Sequence, residues 1–254
     1  MKKEKSKLHI IGDSHNKKIL LIHGMGFYWE KCFSSIINEL KKKYCLLIPE
    51  LEGHNLDSVG EISSVYSSAN NIIEEIYNYE LSDLYAVYGI SLGASIALEI
   101  ALKRKLMIKK LILDGGQYES MGIMKKMYAY VISKEFQKVI NGKHIKSYIQ
   151  KQMGYLKNND IDVLQNLTCR NIKFNCLYKA ALAAYSYDVV NRPEKLDMDV
   201  TIMYGENEIY AKRSVAIVNK KCLKPLNVFE CKGMGHGEAL SKKPIEICKL
   251  IEKL

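Results

Sequence analysis

The sequence predicts an α/β fold, a mostly parallel sheet flanked by helices with a helical insertion, on three observations. Short apolar runs alternate with stretches of helical period as far as Asp114; the alternation lapses over residues 118–190; it resumes near Val200. A chain of 254 residues suits one such domain, because a single core at that length hides about 70% of the surface the unfolded chain exposes.

In chain order, residues 8–11 read as a short strand, Gly12 to Asn16 as a turn, and residues 19–22 as a buried strand leading into His23 and Gly24. Phe33, Ile36, Ile37 and Leu40 share one face of a helix, and residues 44–48 form the next strand, ending at Pro49. Val65, Ala69, Ile72 and Ile76 repeat the helical period. A strand at 84–88, a helix at 92–102 and a strand at 110–113 follow. Such alternation implies parallel strands covered by helices on both faces.

Residues 118–190 hold no strand-like run. Met124, Met127, Tyr128 and Val131 show helical spacing, as do Leu177, Ala180, Ala181 and Ala184, so this segment reads as a helical insertion between core halves at 1–117 and 191–254. Asn191-Arg192-Pro193 reads as the link back. A strand at 200–204, a helix near 214–218 and a strand at 227–231 complete the pattern. The last helix opens at Pro244, a residue tolerated in a first helical turn, and aligns Ile247, Leu250, Ile251 and Leu254.

Composition excludes several classes of protein. With 48% apolar and 26% charged residues the chain is globular in type. The net charge of +10 is dispersed, with lysine groups at 41–43 and 103–105 near predicted helix ends, so no nucleic-acid partner is expected. No apolar run approaches the ~18 residues of a membrane span. The turn residues at 12–16 interrupt any signal peptide that the N-terminal lysines begin. Seven cysteines, an odd number without a C-x-x-C pair, suggest reduced thiols, no bound metal and a cytoplasmic location.

Gly89-Ile90-Ser91-Leu92-Gly93 lies between a predicted strand and a predicted helix. A serine on so sharp a turn presents its hydroxyl above the sheet, beside amides of the helix N-terminus that favour developing negative charge. Such a hydroxyl needs an imidazole to remove its proton. His236 sits in the glycine-flanked loop Gly233-Met234-Gly235-His236-Gly237, whereas His9, His15 and His144 have no comparable setting. An acid should orient the imidazole. Glu208, Asp114 and Glu206 each follow or end a predicted strand between the serine and the histidine, with Glu208 the first choice. Amides of Met25 and Leu92 are candidates for an oxyanion hole, and His23 has the position of a loop brace.

His23-Gly24-Met25-Gly26, the Gly89 to Gly93 turn, Gly205-Glu206-Asn207-Glu208 and Gly235-His236 together resemble the α/β-hydrolase superfamily, in the order nucleophile, acid, histidine. The resemblance covers almost the whole chain. It implies one antiparallel strand near the N-terminus, a helical cap after Asp114 and a structural role for His54. Two departures stand out: Glu208 occupies a position where aspartate is usual, and a single strand precedes Ile19, so the first strand of the usual sheet is absent from this reading. Serine at position 91 argues against the aspartyl-ester chemistry of haloalkane dehalogenase and epoxide hydrolase relatives.

The expected activity is hydrolysis of a carboxylic ester of a small or acyl-chain substrate, without metal or organic cofactor. A thioesterase or acyltransferase would use the same residues, and a non-catalytic ligand-binding member of the fold is the alternative from another class. Tyr118, Met121, Met124, Met127 and Tyr128 are candidate lining for an acyl pocket. The oligomeric state is not legible in the sequence.

Overall fold

The strand residues 19–22 are wholly buried one after another, which requires helices on both faces of the sheet that contains them. A computed structural model, which describes residues 7–55, 60–156 and 159–253, supplies that sheet and those helices. Leu254 and the lysines that open the chain lie outside the described residues.

The sheet has seven strands: β1 (Lys7–Ile11), β2 (Lys18–Ile22), β3 (Cys45–Glu50), β4 (Asp83–Ile90), β5 (Met107–Asp114), β6 (Asp199–Gly205) and β7 (Asn227–Cys231). Their spatial order is β1-β3-β2-β4-β5-β6-β7. β1 pairs antiparallel with β3 and every other pairing is parallel. Only β1 precedes β2 among the described residues. β3 does not stop at Pro49, as its sequence suggests, but runs through it to Glu50. Its pairing with β2 reaches only Leu47, so the missing proline N–H costs no bond on that side.

The connecting helices are α1 (Trp29–Leu40), α2 (Val65–Asn78) and α3 (Leu92–Lys103) in the first half. The second half adds α8 (Ala211–Asn219), α9 (Glu238–Lys242) and α10 (Pro244–Glu252). α1 packs against α9 and α10, and α2 packs against α3. Every residue of α3 from Leu92 to Leu102 is buried, so this helix has no solvent face there and, apart from Ser95 and Glu99, carries no polar side chain over that stretch.

Between β5 and β6 the described residues form no named strand. A short 3-10 turn (Gly122–Met124) leads into α4 (Lys125–Ile140), then α5 (Ser147–Gln152), α6 (Asn159–Leu167) and α7 (Phe174–Ser186). α4 and α7 are closely packed together. Met124 and Met127, assigned from the sequence to a pocket wall, face solvent instead, with 41% and 50% of their surface exposed. The segment from which the chain returns to β6 is a clamp rather than a plain linker. Arg192 pairs with the buried Glu99 of α3 at 2.5 Å, and the Tyr187 hydroxyl donates to the same carboxylate at 3.1 Å.

Removing one partner of a buried ion pair leaves the other charge uncompensated, at a cost of about 3–5 kcal/mol. Glu99 keeps Lys103 at 3.4 Å, so the lower part of that range applies. Arg192→Ala should therefore lower stability by about 3 kcal/mol in urea unfolding. A midpoint equal to that of the unmodified protein would show that the clamp contributes nothing.

Candidate functional site

The candidate residues all lie within five positions of the C-terminal end of a parallel strand. Met25 follows β2, Ser91 follows β4, Asp114 ends β5, Glu208 follows β6 and His236 follows β7. Parallel strands end on one edge, so side chains scattered along the sequence gather there.

Ser91 has φ 57° and ψ −121°, a left-handed backbone that a side-chain-bearing residue adopts only when its surroundings hold it. Its N–H donates to the Asp114 carbonyl at 2.7 Å, which ties the turn to β5. Two glycines make the close approach possible. A Cβ on Gly93 would strike the carbonyl oxygens of Ile22 and His23, and one on Gly24 would lie 3.0 Å from the Ser91 Cβ. The loop carrying Met25 therefore lies directly against the serine turn and the first turn of α3, which starts at Leu92.

Ser91, His236, Met25 and Leu92 all line one cavity of about 270 Å³. Its wall includes Ile132, Phe136 and Ile149 from the helical segment, Ile217 from α8, and Tyr118 and Tyr128. Tyr118, Met121 and Tyr128 thus stand where the sequence suggested, unlike Met124 and Met127.

Of the three candidate acids, the structure brings Glu208 to the imidazole: His236 Nδ1 lies 3.0 Å from Glu208 Oε2. The other oxygen, Oε1, accepts the Gly205 N–H at 2.8 Å. Both side chains are buried. Burial alone would raise the Glu208 pKa, but the His236 charge and hydrogen bond, with further donors from Tyr210 and Gly205, outweigh it and hold the carboxyl below its usual range. Burial alone would lower the His236 pKa; the Glu208 charge and hydrogen bond, helped by Asp114, raise it above 6.5 instead.

Asp114 is buried and accepts the Tyr88 hydroxyl at 2.6 Å. Burial pushes its pKa up to about 7, against the lowering effect of that hydrogen bond. Glu206 faces outward, bonded to the Gly233 N–H and to Lys232.

Several groups at the site carry no signal in the sequence. The His236 N–H donates to the Met153 carbonyl, and the Tyr155 hydroxyl donates to the His236 carbonyl, both at 2.8 Å. The stretch after α5 thereby holds the histidine loop by its main chain. A Cβ on Gly235 would meet the Gly154 carbonyl at 2.7 Å, so bare backbone is needed where the two stretches touch. Tyr210 Oη lies 2.8 Å from His236 Nδ1. Tyr210 stands two residues beyond Glu208, but nothing in its spacing marks it.

His23 is a brace: its Nδ1–H donates to the Gly24 carbonyl at 3.0 Å and its Nε2 accepts the Leu51 N–H at 3.2 Å. His54 packs beside it, with ring centroids 5.5 Å apart, and Nδ1 bonded to the Glu52 carbonyl. Among the described residues no group of three or more histidine, cysteine or acidic side chains is placed to hold a metal ion. No helix among them is long and apolar enough to cross a membrane.

Fold and cavity together define an α/β protein of the class that carries its reactive side chains on loops at the C-terminal edge of a parallel sheet. No family model matches the chain, and no curated protein matches it. A crystal structure described as an alpha/beta hydrolase family protein from Desulfitobacterium hafniense is 41% identical, with a TM-score of 0.94, over 97% of this chain and 99% of that one. The chain belongs to the α/β-hydrolase family. A lipase-esterase related protein from Clostridium acetobutylicum shares the fold at 18% identity and a TM-score of 0.74, over 98% of this chain and 99% of that one. A thermophilic esterase from Thermogutta terrifontis does so at 14% identity and a TM-score of 0.72, over 98% and 92%.

Burial lowers the His23 pKa to about 3, with a further push from His54, and that of His54 to about 4. Both stay neutral in the folded protein, while in the unfolded chain they take up protons below pH 6.5. Their contribution to stability is therefore complete above pH 6.5 and shrinks as pH falls, by about 2 kcal/mol for each residue at pH 5. Urea midpoints at pH 7 and pH 5 test this: the drop should be smaller in His54→Gln, and an equal drop would overturn the assignment.

Proposed function

We propose that the protein is a serine hydrolase that cleaves a carboxylic ester through an acyl-enzyme on Ser91. One observation carries this reading: a serine in a left-handed strand-to-helix turn shares a cavity with an imidazole whose Nδ1 meets a buried carboxylate.

In the proposed reaction, His236 Nε2 takes the Ser91 hydroxyl proton as Oγ bonds to the ester carbonyl carbon. The carbonyl oxygen becomes an oxyanion, held by the amides of Met25 and Leu92. Glu208 keeps the proton of the imidazole on Nδ1 and stabilises the cation that forms. The imidazolium returns the proton to the departing alkoxide, leaving an acyl-enzyme and a free alcohol. Water, deprotonated by His236, then attacks the acyl carbon and releases the acid and the Ser91 hydroxyl. The helices between β5 and β6 act as a cap that gives the acyl group its apolar wall.

The volume favours a short or medium acyl chain. At about 270 Å³ the cavity lies near the small end of the ~300–1,000 Å³ usual for ligand pockets, which suits a short or medium chain better than a long fatty acid. The family membership and the esterase-type fold neighbours agree with ester chemistry.

Ser91→Ala should abolish labelling by a fluorophosphonate probe, and a wild type that takes no label would leave the protein as a ligand-binding member of its family. Glu208→Gln should lower turnover of p-nitrophenyl esters by about three to four orders of magnitude with folding intact. If Asp114→Asn causes that loss instead, the orienting acid is Asp114. Across the p-nitrophenyl ester series, kcat/KM should peak between butyrate and octanoate and collapse at palmitate. Because His236 acts as the neutral base and its pKa is raised, the acid limb of kcat/KM should have its midpoint above pH 6.5.

A further inference from the structure

The Nδ1 edge of His236 has two partners where the proposed reaction uses one. Glu208 Oε2 is 3.0 Å away and Tyr210 Oη is 2.8 Å away. The tyrosine hydroxyl also lies 3.3 Å from the Gly115 carbonyl, and it supplies a hydrogen bond to Glu208. The residue lines the cavity beside His236, with the two rings edge to face at 6.3 Å. Burial, reinforced by the Glu208 charge, raises the Tyr210 pKa well above its ordinary value, so the phenol keeps its proton.

A carboxylate can only accept at Nδ1, whereas a phenol can donate or accept there. The carboxylate fixes one tautomer, and the phenol, when it donates to Nδ1, favours the other. With Nδ1 protonated and facing Glu208, the lone pair is on Nε2, where a serine proton can be taken. With the phenol donating to Nδ1, the proton moves to Nε2 and the imidazole can no longer act as the base.

We propose that Tyr210 is a positioning residue whose hydroxyl competes with Glu208 for His236 Nδ1, so that the charge on Glu208 selects the reactive tautomer. A charge-assisted hydrogen bond is about twice as strong as a neutral one, which gives the ionised carboxylate the imidazole. The phenol then donates to the carboxylate or to the Gly115 carbonyl, both within its reach. Once the carboxylate is removed, the phenol is the partner that remains, and by donating to Nδ1 it can hold the tautomer that the carboxylate had excluded. The inference rests on the hydrolase reading, since a tautomer matters only if Nε2 must accept a proton.

The test compares Glu208→Ala with Glu208→Ala/Tyr210→Phe. Two observables are followed: p-nitrophenyl butyrate turnover, and the ¹⁵N resonances of labelled histidine in the resting protein. The Nδ1 signal of His236 should be of the protonated type in the wild type, of the unprotonated type in Glu208→Ala, and a mixture in the double variant. Turnover should rise about five-fold or more from Glu208→Ala to the double variant, a gain within the range for contacting residues. A phenol that merely braced the loop would give the reverse, a double variant slower than the single one. If Glu208→Ala does not fold, Glu208→Asp withdraws the carboxylate by one methylene, and adding Tyr210→Phe should again raise turnover.

A double variant no faster than its parent, with unchanged nitrogen signals, would overturn the proposal. The nitrogen signals need no substrate. A wild type that turns over no ester but shows the stated shifts supports the tautomer assignment, while the hydrolase reading alone fails.

Discussion

The parallel register of β4 to β7 is the constraint on which the cavity depends. Ile90 pairs with Asp114, Asp114 with Met203 and Gly205 with Cys231, so these strands finish almost level. Neighbouring strands are ~4.8 Å apart, which puts the end of β7 about 14 Å from the end of β4. The main chain from Cys231 to His236 can span at most about 17 Å when fully extended. The histidine loop must therefore run back across the strand ends of β6 and β5. That path brings Gly115 under the imidazole, where a Cβ would lie 2.7 Å from Nδ1.

The electrostatics of the site follow from that crossing. The acid after β6 meets the imidazole where the loop passes, whereas the buried Asp114 is satisfied by Tyr88. The extra methylene of Glu208 is taken up by anchoring: Gly205 holds Oε1, which leaves Oε2 for His236. The carboxylate, costly to bury without a partner, is met by the imidazole and by the Gly205 N–H.

Most of the frame was legible because both faces of a parallel sheet are apolar and its helices follow a regular period. The apolar runs at 19–22, 84–88 and 200–204 all proved to be core strands. Pro49 misled about where β3 ends because the sequence does not tell which side of a strand is left unpaired. At the site, Ser91 and His236 stood out through the turns that carry them. Glu208 was the first choice among the three acids by its place after the strand at 200–204, but Glu206 and Asp114 are also close to strand ends, and only coordinates show which side chain turns to the imidazole. Tyr155 and Met153 were invisible for a different reason: they act through a hydroxyl and a carbonyl on backbone atoms 81 and 83 positions away, which no local pattern records. Met124 and Met127 followed the helical period with Tyr128 and Val131, yet these two methionines face outward, because periodicity defines a face without saying how much of it is covered.

The two main-chain bonds between His236 and the stretch from Met153 to Tyr155 bear on how the molecule can be re-engineered. Grafting the helices of a relative onto this sheet, a common route to altered selectivity, would discard the scaffolding of the imidazole together with the wall of the cavity. The helical segment is therefore not an interchangeable module. A chimera that keeps α5 and the three residues after it, and exchanges only α4 and α7, would retain the histidine's support while changing what the cavity admits.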